Sequence, residues 1–89
     1  MLTLPAVLTH DEAATFSLGL KGLVAAQATT VVADASQLQT FDSSALAVLL
    51  ACRREALAVE KGFFVHGLPP QLAQLTKLYG VAELFPVAV

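Results

Sequence analysis

The chain has 89 residues, 56% of them hydrophobic and 13% charged, and a formal net charge of −2. That length makes one domain. The absence of a basic run argues against a nucleic-acid backbone binder, which needs a Lys/Arg patch. Apolar content stands above the typical ~45–50%, so some apolar surface is expected to face a partner.

The longest uninterrupted apolar run, Ala45–Cys52, falls far short of the roughly 18 residues that span a bilayer. The opening MLTLPAVLTHDEA has no basic start and is broken at Pro5, His10 and Asp11, so it does not read as a signal peptide. One cysteine leaves no internal disulfide. The expected compartment is the cytoplasm.

Leu2–Leu4 and Ala6–Leu8 are short apolar pieces around Pro5, expected as an edge strand or broken hairpin because proline cannot donate to a ladder. Thr9-His10-Asp11-Glu12 has the spacing of a capping box. Ala13, Phe16, Leu20, Leu23 and Val24 follow at helical spacing. Gly19 and Gly22 weaken that helix by about 1 kcal/mol each relative to alanine, and either allow close packing or mark an early end.

Thr29–Asp34 is a run rich in β-branched residues and reads as a strand covered on both faces. ASQLQTF reads as a polar loop. The strongest helix is expected from Asp42 to about Lys61, stopped by Gly62. FFVHG reads as a short buried strand. LPPQLAQLTKLYG reads as a helix with Pro69 or Pro70 first. Its stripe is Leu68, Leu72, Leu75 and Tyr79, and Gly80 fits its end. The tail VAELFPVAV is expected as a last helical turn or strand. No repeat, linker or low-complexity tract interrupts the chain. The β–α alternation implies an α/β fold with functional loops at the strand C-terminal ends.

The stretch Phe41-Asp42-Ser43-Ser44 needs a separate account, because a helix cap uses one polar side chain and three are present. A helical wheel of Ala45–Val59 puts Ala45, Val48, Leu49, Cys52, Ala56 and Val59 on one arc, enough to cover a sheet. Leu46, Leu50 and Leu57 fall on a second side with Arg53, flanked by Ala47 and Arg54. That second side is either a wide buried face or a docking surface with leucine anchors and an arginine rim. A phosphate on Ser43 would suit the helix N-terminus but meet Asp42, and perturb any docked surface there.

The stretch Thr29–Phe85 resembles the STAS family, named for sulfate transporters and anti-sigma factor antagonists. The resemblance rests on a hydrophobic strand ending Val31-Val32-Ala33-Asp34-Ala35-Ser36 and on Asp42-Ser43-Ser44-Ala45-Leu46 before an apolar helix. Gly67–Phe85, especially Leu78-Tyr79-Gly80-Val81, is similar to the MlaB branch, as is the short N-terminal part. The resemblance implies a small mixed β-sheet of about four strands with three to four covering helices. It also implies a non-catalytic interaction module spanning 1–89. In the MlaB branch the partner is the cytoplasmic ATPase of an ABC-type phospholipid transporter, which would hold the chain at the inner membrane. In the alternative branch, the anti-sigma factor antagonists, a serine kinase phosphorylates the position of Ser43.

The partner-binding residues expected on this basis are Asp42, Ser43, Ser44, Leu46, Leu50, Arg53 and Arg54. Two departures stand out: Ala45 occupies the usual glycine position, and the first strand looks truncated before Leu4. A free edge there would allow a homodimer. No phosphate-cradling glycine loop is present. His10 and His66 lack the neighbours of a metal site, and no cofactor is expected. Cys52 is expected in the core. A hydrolytic Ser43–His66 pair has no G-x-S-x-G elbow to support it.

Overall fold

The structure, a computed structural model, describes residues 1–87. The chain opens with β1 (Leu2–Thr3) and β2 (Val7–Leu8), then α1 (His10–Leu18) and α2 (Leu20–Ala25). β3 (Thr30–Asp34), β4 (Thr40–Phe41), α3 (Ser43–Ala58), β5 (Gly62–His66) and α4 (Pro70–Leu78) follow, then a 3₁₀ turn at Ala82–Leu84.

β1 and β5 flank β3, and β2 pairs with β4. Every one of these pairings is parallel, so the expected mixed sheet is a parallel one. The N-terminal segment is not a hairpin: β1 is the end strand of the three-stranded sheet, as the edge reading expected, and β2 belongs to the two-stranded one. Pro5 breaks the segment so that its first half runs along β3 and its second half along β4. The Leu4 N–H donates to the Asp34 carbonyl at 2.9 Å, and the Ala6 carbonyl accepts from Gln39 and Thr40. β4 lies in what the sequence suggested was a polar loop. At two residues it is too short to show an alternating pattern.

The strands alternate cleanly. Leu2, Leu4, Leu8, Val31, Ala33, Phe63 and Val65 are buried under the helices. Thr3, Val7, Thr30, Asp34, Phe64 and His66 are exposed or half-buried on the other face. The sheet is thus covered on one side, not two, and β5 is half-buried: Phe63 is 6% exposed and Phe64 38%. This is the two-layer solution in which parallel crossovers of one hand keep their helices together.

α3 lies centrally in the helical layer, packing on α1, α2 and α4 as well as on β3 and β5. Cys52 is fully buried beneath it, and burial pushes its thiol up to about 11. Such a group is a small core hydrophobe, not a nucleophile.

The single helix expected after Thr9 breaks at Gly19 into α1 and α2. The capping box does not close in its usual form: the Thr9 hydroxyl donates to the Glu12 carboxylate rather than accepting a main-chain N–H. α3 ends at Ala58, short of the expected Lys61. Glu60 takes a left-handed φ of 60° there, while the Glu60 and Lys61 N–H groups close onto the Leu57 and Ala56 carbonyls. α4 ends the same way, with Gly80 at φ 71° and the Val81 N–H on the Thr76 carbonyl. These are Schellman ends, with glycine used in one and glutamate in the other. In α4, Pro70 is the first helical residue and Leu72 is fully buried, but Tyr79 is exposed and leaves the expected stripe. Val59 is likewise exposed, not core, because it lies past the last helical residue.

The tail forms the helical turn expected of it, as a 3₁₀ turn, and then a single bridge to β5 rather than a strand. After its 3₁₀ turn, the Phe85 ring meets Phe63 edge-on at 6.3 Å, and the Pro86 carbonyl accepts from Val65 N–H at 2.8 Å. The remainder of the tail, 88–89, lies outside the described residues.

Candidate functional site

The Asp42-Ser43-Ser44 turn sits where β4 hands over to α3. Asp42 is extended, and its carboxylate accepts the Ser44 N–H at 2.8 Å. That is an N-cap on an otherwise unsatisfied donor. The Ser44 N–H holds the Asp42 carboxyl below its ordinary value of 3.8, helped by the Ser44 hydroxyl and by the His10 N–H and ring. The first turns of α1 and α3 therefore converge on one carboxylate. Ser43 has no part in this arrangement and is exposed.

Behind Ser43, the outward face of α3 runs Ser43, Ala47, Leu50, Arg54, Leu57, a 4-3-4-3 spacing that keeps one line along the helix. Ala47 and Arg54 are exposed, Leu50 is half-buried, and Leu57 is 49% exposed. Arg53 is half-buried at the side of this line. Leu46 does not belong to it. It is 4% exposed, on the flank of α3 turned away from the α1 groove, and neighbouring elements close over the side that the wheel left open. Both accounts of the second side thus hold in part: Leu46 is core, while Leu50, Leu57 and the arginines remain at or near the surface. Ala47 and Leu57 extend the expected contact set, and the 3-4 spacing from Ser43 is the signal that finds them.

Beside this line, a groove of about 230 Å³ separates α1 from α3. His10, Ala13, Ala14, Ser17, Ser44 and Ala47 line it. Ser44 therefore faces a cleft while Ser43 faces outward.

Asp34 does not join this site. Its carboxylate accepts from the Ser36 hydroxyl at 2.6 Å and the Ser36 N–H at 3.0 Å, which together hold it below its ordinary value. His66 stands beside Asp34 in register on β5, whereas Ser43 follows β4 at the opposite side of the strand order. A Ser43–His66 pair is not built. Among the described residues, no group of three or more His, Cys, Asp or Glu side chains could hold a metal ion, and no helix is long and apolar enough to cross a membrane.

Parallel strands with the helices on one face, and an aspartate capping the central helix ahead of an exposed serine, define a small two-layer α/β domain. The chain belongs to the STAS domain family: the family model described as "Mlab, STAS domain" matches residues 1–86. Among solved structures, the anti-sigma factor antagonist SpoIIAA in its unphosphorylated form shares the fold with a TM-score of 0.74. The two are 19% identical, over 98% of this chain and 76% of that one. A comparison with curated proteins found no match.

Proposed function

We propose that this chain is a non-catalytic STAS subunit that docks on the ATPase of an ABC-type phospholipid transporter. The observation that carries the reading is the outward line of α3, where Ser43, Leu50, Arg54 and Leu57 lie together at the surface of a domain matched by the Mlab-type family model. Leucines give such a surface apolar anchors, and arginines at its rim pair with acidic groups and set register. Asp42, Ser43, Ser44, Leu50, Arg53 and Arg54 are the proposed contacts, with Ala47 and Leu57 added and Leu46 supporting them from beneath. Docking would favour one state of the ATPase or its assembled form, and would hold the chain on the cytoplasmic side of the inner membrane.

Co-purification with the ATPase of a phospholipid ABC transporter from the same cell tests the reading. Leu57→Asp with Arg54→Glu is expected to abolish capture while leaving the melting profile intact. Unchanged capture by this folded double variant overturns the surface.

The second reading is an anti-sigma factor antagonist switched by phosphorylation of Ser43. The exposure of Ser43 and its absence from the cap favour it. A phosphate would add about −1.5 to −2 charge beside Asp42 and change what the face can bind. Incubation with a cognate serine kinase and ATP, followed by mass spectrometry, separates the two. An unmodified Ser43 counts against the second.

A further inference from the structure

α1 is a ridge between two grooves, and only one of them borders the α3 face. The other lies along β2 and the far side of α1. Pro5, Val7 and Phe16 give it an apolar floor, Thr15 a side, and Asp11 and Glu12 a charged rim around about 360 Å³. That volume is at the small end of ligand pockets, about 300–1,000 Å³, and suits a side chain or two better than a cofactor. Val7 and Phe16 at its base are only partly covered.

Asp11 and Glu12 stand in the first turn of α1, whose N-terminus offsets part of their charge, and among the described residues neither makes an ion pair. The groups acting on the Glu12 carboxylate are the Thr9 hydroxyl, its own main-chain N–H and the nearby Asp42, with no cation among them. The Lys61 ammonium is spent on main-chain carbonyls at the end of α2. Arg53 and Arg54 sit in the second half of α3, away from the first turn of α1.

We propose that this groove binds a partner protein segment presenting one apolar side chain next to a lysine or arginine. The floor takes the apolar group and Asp11 and Glu12 take the cation. A purely apolar occupant would bury two carboxylates against itself without compensation, which is unfavourable. An anionic ligand would be repelled at the mouth. A cation without an apolar neighbour would leave Val7 and Phe16 wet and gain only a screened surface pairing. The proposal does not depend on the α3 face, because a segment seated here meets α1 from its opposite side.

The test uses the ¹⁵N-labelled full chain and three capped pentapeptides: Gly-Arg-Leu-Arg-Gly, Gly-Arg-Gly-Arg-Gly and Gly-Glu-Leu-Glu-Gly. The first is expected to shift the amides of Ala6–Leu8 and Asp11–Phe16 saturably, at concentrations where the other two do not. Added salt should weaken it. Asp11→Asn with Glu12→Gln should reduce the affinity at least tenfold, with the melting profile retained, since glutamine still accepts from Thr9. No shift up to about 10 mM peptide overturns the proposal. So do equal shifts from the Arg-Gly peptide, which mean charge alone, or from the Glu-Leu peptide, which mean apolar contact alone. Shifts at these amides that grow with protein concentration before any peptide is added also overturn it, in favour of a second copy of this chain.

Discussion

The Asp42 carboxylate accepts the main-chain N–H of Ser44 at 2.8 Å, and Ser43 between them is left out of the cap. The turn divides its labour: one residue satisfies the helix, one lines the α1–α3 groove, and one faces outward. Ser43→Ala is therefore expected to leave the unfolding free energy within about 0.5 kcal/mol of the parent, as at other uncommitted surface positions. Asp42→Ala, which leaves the Ser44 donor to water, should lower the melting midpoint measurably. Thermal melts of the two variants check the ordering, and equal losses would mean that Ser43 supports the helix after all.

Asp42 and Asp34 both have carboxyls held below the ordinary value of 3.8, the first by the Ser44 N–H and the second by the Ser36 hydroxyl. An unfolded chain thus binds protons in a range where the folded chain does not, and stability rises with pH there. The contribution is fully present above 3.8, and is lost as pH falls from that value through the lower folded ones. Asp42→Asn with Asp34→Asn should flatten this acid limb and lower the neutral plateau toward the acid level, because asparagine keeps the hydrogen bonds but not the charge on which the contribution rests. Melting midpoints followed from neutral pH down to about pH 2 measure it. An acid limb of unchanged steepness in the double variant would refute the assignment.

Leu46 and Leu57 sit on the same side of the wheel yet belong to different environments, at 4% and 49% exposure. Leu46→Ala should cost about 2–5 kcal/mol, as buried leucines do. Leu57→Ala should cost well under about 1 kcal/mol, since alanine is the better helix former and little burial is lost. Urea unfolding of each measures the difference. A polar residue at Leu46 would unfold the domain and say nothing about docking.

That pair also marks what a sequence can carry. β3, α3, β5 and α4 are legible because a β-branched run, an acid-serine cap and two proline or glycine stops are local signals. Leu46 is not, because its burial comes from neighbouring elements packed on α3, which no wheel of α3 includes. The open sheet face is hidden for a similar reason. Val32 and Phe64 are hydrophobic enough to read as covered, and only the side taken by every crossover leaves them at the surface. β4 is two residues long and earns its place through the Ala6 carbonyl. In the candidate site, the outward line from Ser43 was readable from spacing, while the convergence of His10 on Asp42 depends on tertiary packing.

Among the described residues, three hold left-handed backbone, Glu60, Gly67 and Gly80, and they should respond differently to substitution. A Cβ at Gly67 would lie 2.7 Å from the Ser36 Cβ, so Gly67→Ala combines conformational strain with a collision and should cost about 2 kcal/mol or more. Gly80 has open space, so Gly80→Ala carries only the backbone term of roughly 1–2 kcal/mol. Glu60→Gly runs the other way, relieving the α3 end and stabilising by about 0.5–1 kcal/mol. Denaturant midpoints of the three variants should fall in the order Glu60→Gly, Gly80→Ala, Gly67→Ala.

Lys61 is the polar tie between the start of β5 and the end of α2. Its ammonium donates to the carbonyls of Gln27 at 2.6 Å, Val24 at 2.9 Å and Ala25 at 3.1 Å. A helix end leaves carbonyls without partners and carries partial negative charge, so one cation answers both needs. Lys61→Met keeps the stem and removes all three donors, and should destabilise by about 1.5–3 kcal/mol. Lys61→Arg keeps the charge but replaces a compact ammonium with a planar fork, so it should recover part of that loss. Hydrogen exchange localises the effect: amides of the α2 end and the following turn should lose protection in Lys61→Met before those of β3. Uniform loss of protection would instead show that Lys61 supports the core as a whole.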